Sequence, residues 1–235
     1  MKADKARRPI AIGIATLIGG LAGCGGRSEL LDQGLGGLSA IDASLLDGPE
    51  VPDANDAAPP PPACSVRRAR VFVTAAMYDA NFGGVRGADA DCTASANAER
   101  LGGRWRAWLS DTNQEAPARI YAAPEGYVLL DGTLVAKNLS ALGSGSLAHA
   151  IDRTELNAPV SDGNTEVWTG IDVRNGAGSP GYCSDGAGND WSSNRANAPT
   201  PFVGHEDATD DTWTAAYLQF CNRTNVRLYC FEVCN

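Results

Sequence analysis

Two histidines, His149 and His205, are the only side chains in this chain of 235 residues whose ordinary pKa suits proton transfer near neutrality. A Ser-His-Asp or Cys-His arrangement would have to use one of them, and no Gly-x-Ser-x-Gly elbow accompanies either. Gly176-Ala177-Gly178-Ser179-Pro180-Gly181 matches Gly-x-Gly-x-x-Gly by letter, but no strand leads into it, no helix leaves it, and Pro180 removes an amide donor. It reads as a flexible loop. No catalytic and no cofactor-binding residue is assigned, and an enzyme is not expected.

The seven cysteines divide into one and six. Cys24 closes a segment that begins with Lys2, Lys5, Arg7 and Arg8, runs through apolar residues from Ile10 to Leu21 and ends Leu21-Ala22-Gly23-Cys24. This is the anatomy of a bacterial lipoprotein signal, in which the Cys24 thiol is acylated and becomes the new N-terminus. The apolar run is broken by Gly13, Gly19 and Gly20 and falls short of the ~20 residues of a spanning helix. Gly25 rather than aspartate follows the cysteine, which points to export towards the outer membrane and cell surface. In an oxidising compartment the other six cysteines favour disulfides, and six allow about fifteen connectivities. A zinc site is disfavoured, because no Cys-x-x-Cys occurs and no histidine lies beside Cys230 and Cys234.

Loss of residues 1–23 removes four of 19 basic and one of 28 acidic residues, leaving a net charge of −12. Nucleic acid is thereby disfavoured as a partner, and membrane contact is expected through the lipid at Cys24 rather than through charge. Residues 24–63 carry scattered acids and the block Pro59-Pro60-Pro61-Pro62. Such a stretch cannot offset its ordering entropy and reads as a disordered tether with a stiff proline end. All five tryptophans and all six tyrosines lie in residues 64–235, which form one domain of ordinary size.

The elements that must position these side chains read as mixed α and β. Arg70–Thr74 is expected as a strand, Ala88–Leu101 as a helix with Asp89 and Asp91 in its first turn and Gly102-Gly103 at its end, and Trp105–Leu109 as a second strand. Asp131-Gly132 between Tyr127–Leu130 and Thr133–Ala136 signals a hairpin. Residues 157–211, rich in glycine, asparagine and aspartate, read as a long loop region, and Arg227–Val233 as a closing strand.

Several separated blocks carry a family resemblance. Gly84-Val85-Arg86-Gly87-Ala88-Asp89-Ala90-Asp91-Cys92, Leu101-Gly102-Gly103-Arg104-Trp105-Arg106-Ala107-Trp108-Leu109-Ser110, Val167-Trp168-Thr169-Gly170, Tyr182-Cys183, Trp191, Cys221 and Leu228-Tyr229-Cys230-Phe231-Glu232 resemble, in order, the endostatin module of collagens. They resemble still more the leptospiral endostatin-like surface lipoproteins, a bacterial family labelled as a domain of unknown function. The resemblance implies an α+β, C-type-lectin-like fold with two small antiparallel sheets, one or two helices and a long loop region closed by disulfides. It also implies pairing of Cys92 with Cys230 and of Cys183 with Cys221. Cys64 and Cys234, outside the simplest pattern, are then expected to pair with each other, with the first and last strands side by side.

Lectin-like folds often bind calcium. The Glu-Pro-Asn and Trp-Asn-Asp stretches of sugar-binding members are absent here, so no cofactor is assigned. The oxygen ligands that would suit calcium are Asp190, Glu206, Asp207, Asp210 and Asp211, against which stands a solvated acidic loop. The zinc site of endostatin uses N-terminal histidines that this domain lacks. Its heparin-binding arginines are matched in place by Arg100, Arg104 and Arg106, with a second basic cluster at Arg67, Arg68 and Arg70. Alternating arginines on the wet face of a strand would look the same. The resulting expectation is a lipid-anchored surface module for adhesion to an extracellular protein or glycan. The alternatives are a structural envelope lipoprotein without a foreign ligand and a calcium-dependent lectin.

Overall fold

A computed structural model describes residues 66–172 and 179–234. The signal segment, Cys24, the tether, Cys64 and the glycine motif from Gly176 to Gly178 lie outside the described residues. Among the described residues no helix is long and apolar enough to cross a membrane.

One strand organises the domain. β8 (Arg227–Val233) is buried along its whole length, as a strand covered on both faces should be. Its residues alternate between two cores: Tyr229 and Phe231 enter one, Leu228 and Cys230 the other. β1 (Ala69–Val73) runs antiparallel along one edge of β8, with Phe72 opposite Cys230. β2 (Arg104–Ala107) and β5 (Glu166–Trp168) share the other edge, β2 antiparallel and β5 parallel. Outside β1 lie β3 (Tyr127–Leu129), parallel to it, and β4 (Leu134–Ala136). Outside β5 lie β6 (Phe202–His205) and β7 (Tyr217–Leu218).

The expectation of two small antiparallel sheets is corrected: the eight strands form one mixed sheet in the order β4-β3-β1-β8-β5-β6-β7, with β2 also on β8. The cause is β8, which hydrogen-bonds through both edges and so fuses what would be two sheets. Among the described residues three helices rather than one or two accompany it: α1 (Val85–Ala98), α2 (Ala116–Arg119) and α3 (Leu139–Gly143). The first and last strands do lie side by side. The Asp131-Gly132 turn joins β3 to β4, with Gly132 at φ 91° and the Leu129 N–H donating to Thr133 O at 2.8 Å. Each strand stops a residue short of the turn residues expected to flank it.

α1 begins and ends about three residues earlier than its alanine content suggests. Gly83 and Gly84, at φ 74° and 96°, turn the chain into it. Gly87 then packs on the preceding turn, where a Cβ would lie 1.8 Å from Phe82 O. Asp89 and Asp91 consequently fall beyond the first turn. At the other end Arg100, at φ 55°, takes the left-handed position that glycine usually fills. Its N–H donates to Asn97 O and that of Leu101 to Ala96 O, which closes the helix before Gly102 is reached.

Ala88, Cys92 and Ala96 form the buried stripe of α1. The bond Cys92–Cys230 fastens that stripe to the middle of β8, and Cys183–Cys221 gathers the irregular region between β5 and β6. Cys234 is disulfide-bonded, while Cys64, the partner expected for it, lies outside the described residues. In the irregular region Trp191 is fully buried and its indole N–H donates to Ser110 O at 2.7 Å.

Candidate functional site

β2 and the outward face of α1 bound a groove of about 720 Å³. The strand register explains which backbone groups face α1. The Trp108 N–H donates to Tyr229 O at 2.9 Å, so in the same register Arg104 and Arg106 turn their backbone groups towards β8 and Trp105 and Ala107 turn theirs outward. The groups of Ala107 are occupied: its N–H donates to Asp89 Oδ1 at 2.9 Å, and its carbonyl accepts from Arg119 Nη1 at 3.1 Å. The Trp105 carbonyl has only Thr93 Oγ1, at 3.5 Å.

One ion pair, buried on its arginine side, sets the shape of the groove. Arg119, 5 % exposed, donates through Nη2 to both oxygens of Asp89 at 2.7 and 2.8 Å and through Nη1 to the carbonyls of Ala107 and Leu109. This clamp ties α1, β2 and the end of α2 together. Arg106 Nη1 in turn donates to Arg119 O at 2.8 Å. With Asp89 and Arg119 neutralising one another, Arg86, Arg104 and Arg106 remain around the groove. Among the described residues none of the three forms an ion pair. Of the sequence candidates, Arg104 and Arg106 therefore reach a site, whereas exposed Arg100 serves the end of α1. Sequence reasoning missed Arg86, Asp89 and Arg119 as site residues; Asp89 and Arg119 are 30 positions apart and no spacing marks them.

The second basic cluster has the opposite character. Arg67 and Arg68 lie 2.5 and 3.7 Å from the oxygens of Glu125. Arg70 grips Glu232 with two hydrogen bonds, 2.8 and 2.6 Å, and stacks over the Trp105 ring at 5.3 Å. Gly103 leaves room for this pair, since a Cβ there would lie 2.6 Å from Glu232 Oε1.

The acidic candidates for calcium are not brought together. Asp190 sits in a hollow of about 320 Å³ beside Gly83 and Gly84. Its carboxylate accepts from Thr112 N–H and hydroxyl, both at 2.8 Å, and from Ser184 at 2.6 Å, so it crosslinks loops. Asp210 caps a 3-10 turn (Asp211–Trp213) by accepting from the N–H and hydroxyl of Thr212, bonds that hold its carboxyl below the usual range. Asp207 is exposed and Asp211 half-buried. Glu206 is 4 % exposed, with Oε2 unpartnered, and burial pushes its carboxyl up to about 7. Among the described residues no group of three or more His, Cys, Asp or Glu side chains is placed to hold a metal ion.

Neither histidine is among the residues that line the groove. His149 Nδ1 lies 2.8 Å from Ala150 O and 4.0 Å from Asp152. His205 Nδ1 lies 2.8 Å from Thr165 Oγ1, and its ring packs edge-on against Tyr217. No protein-family model matches this chain, and no curated protein matches it significantly.

Proposed function

We propose that this chain is a lipid-anchored bacterial surface module that binds an anionic extracellular protein or glycan through the groove between α1 and β2. The observation that carries the reading is the cluster Arg86, Arg104 and Arg106, without ion pairs among the described residues, on a chain of net charge −9. A local cationic groove on an acidic protein concentrates anions where the rest of the surface repels them. The walls are held by the Asp89–Arg119 clamp and the Cys92–Cys230 bond, so little ordering entropy is lost on binding.

The domain is read as an endostatin-like, C-type-lectin-like fold. Support comes from the antiparallel pairing of the first and last strands, the two disulfides and the long irregular stretch between β5 and β6. A binding rather than catalytic role is favoured by the placement of His149 and His205, neither of which lines the groove.

The test is an array of immobilised acidic extracellular proteins and sulfated glycans, probed with the full chain and with an Arg86→Glu/Arg104→Glu double variant. The wild type should retain at least one ligand, and the variant should lose at least tenfold in affinity, since each reversal replaces attraction with repulsion. Binding that is equal in the two proteins would overturn the reading. A chain that retains no ligand, yet whose deletion weakens the envelope, would establish the structural alternative instead.

A further inference from the structure

Two buried side chains outside the groove each keep one polar atom unpaired. Glu206 follows β6 and Arg227 opens β8, so they flank the start of β5: the Glu206 N–H donates to Thr165 O at 3.0 Å, and Arg227 is in register with Val167. Each is 4 % exposed. Among the described residues Glu206 Oε2 accepts no hydrogen bond and Arg227 Nε gives none. The arginine is otherwise engaged, with Nη1 donating to the carbonyls of Thr74 and Ala75 at 2.6 and 2.5 Å and Nη2 donating to Asp162. We propose that Arg227 changes partner with the protonation of Glu206: it holds Asp162 while Glu206 carries its proton, and turns its charge to Glu206 when that proton is lost to solvent, which frees the turn from Asp162 to Thr165.

The two carboxylates differ in what they can do without the arginine. The Asp162 side chain is 40 % exposed and can take water in exchange, whereas an ionised Glu206 is shut off from water. A buried charge without a partner is costly, and Arg227 is the cation that acts on this one. The other groups around Glu206 do not neutralise it. Asp162 and exposed Asp207 carry like charge, and the buried Tyr229 phenol donates to Trp213 O at 3.0 Å. His205, its neighbour in the chain, is engaged with Thr165 Oγ1 at 2.8 Å. Arg227 cannot move away with Asp162, because the Thr74 and Ala75 carbonyls hold it. The movable part is therefore the turn, which contains Gly163 at φ 75°. The Asn164 side-chain amide ties that turn to the Asn225 carbonyl and to Met77 Sδ, and these ties loosen when Asp162 lets go.

The experiment follows the isotope-labelled full chain by NMR across the titration of Glu206, whose midpoint burial pushes up to about 7. The Arg227 Nε proton should shift together with the Glu206 carboxyl. Amide exchange at Gly163 and Asn164, corrected for its intrinsic pH dependence, should rise by about tenfold or more, the factor that losing one charge-assisted hydrogen bond brings. Glu206→Gln should hold the turn at its low-pH protection throughout. Asp162→Asn leaves Arg227 uncommitted and should lower the Glu206 midpoint by about one unit. Titration of Glu206 with an unmoved Arg227 signal and an unchanged turn would overturn the exchange of partners, as would an unmoved midpoint in Asp162→Asn. Protection lost equally along β8 would also overturn it, since the domain would then be opening as a whole.

Discussion

Two arginine clusters of similar appearance in the sequence meet opposite fates in the fold. Arg67, Arg68 and Arg70 lie at the entry to β1, where Arg67 and Arg68 share Glu125 and Arg70 grips Glu232, acids 58 and 162 positions from Arg67 and Arg70. Arg104 and Arg106 leave α1 for β2 with no acid opposite them, and Arg86 joins them across the groove. The difference lies in which strand is next door: β1 has β3 and β8 on its two sides, whereas β2 has β8 on one side and a groove on the other. The first cluster is paired with acids, whereas the second forms no ion pair among the described residues.

The sharpest way to break this contrast is to remove the clamp on which the second cluster depends. Asp89→Ala leaves Arg119 buried without its carboxylate and the Ala107 N–H without an acceptor. Unpairing a buried ion pair costs about 3–5 kcal/mol, so urea unfolding should shift markedly and ligand binding should fail with it. A shift no larger than that of an exposed substitution would show that the clamp is not holding the groove.

A second contrast is between two buried acids. Glu232 has Arg70, whereas Glu206 Oε2 has no hydrogen-bond partner among the described residues, although Asp162, Asp207 and Arg227 influence it from nearby. Burial raises the Glu206 carboxyl from its ordinary 4.5 to about 7. The folded state therefore binds this proton more tightly than the unfolded state. The stability it contributes is fully present below pH 4.5 and is lost as pH rises through about 7. Glu206→Gln should flatten that slope and, at pH 8, stabilise the domain by about 2 kcal/mol, an order-of-magnitude value from the linkage of pKa to stability. Thermal melts of both proteins between pH 5 and 8 measure it, and parallel curves would contradict the assignment.

The smallest effects divide the clusters most cleanly. Arg70→Ala should cost roughly 2 kcal/mol, the order of a charged hydrogen-bonded pair, and leave anion binding unchanged. Arg104→Ala should change stability by less than about 0.5 kcal/mol and weaken binding severalfold. The reverse pattern would exchange the roles of the clusters.

Much of the scaffold was legible in the sequence because it is written in local chemistry. The apolar run Arg227–Val233, the strand after Arg68, the Asp131-Gly132 turn and a helix through Cys92 all appear within a residue or a few of their observed bounds. The disulfide partners Cys92–Cys230 and Cys183–Cys221 followed from a family resemblance rather than from spacing. What the sequence hid is non-local. The fusion into one sheet depends on both edges of β8 being used, and the start of α1 depends on the close packing of Gly87 on Phe82. The groove was visible in part: Arg104 and Arg106 were readable as a cationic pair, but their freedom from acids could be known only once Glu125 and Glu232 were seen beside the other cluster. The carboxylates proposed for calcium stand at two places in the sequence, Asp190 and the group from Glu206 to Asp211, and the hydrogen-bond partners that occupy Asp190 come from Thr112, 78 positions away, as well as from Ser184.

The central claim is that anions are taken at the groove and not at the β1 cluster. Amide chemical shifts of the isotope-labelled full chain, followed while an Asp/Glu-rich peptide is added at low salt, test it most directly. The account predicts shifts concentrated on the α1 wall from Val85 to Asn97 and on Arg104–Arg106, fading as salt screens the charges. Shifts centred on Arg67–Arg70, or none at saturating peptide, would contradict it.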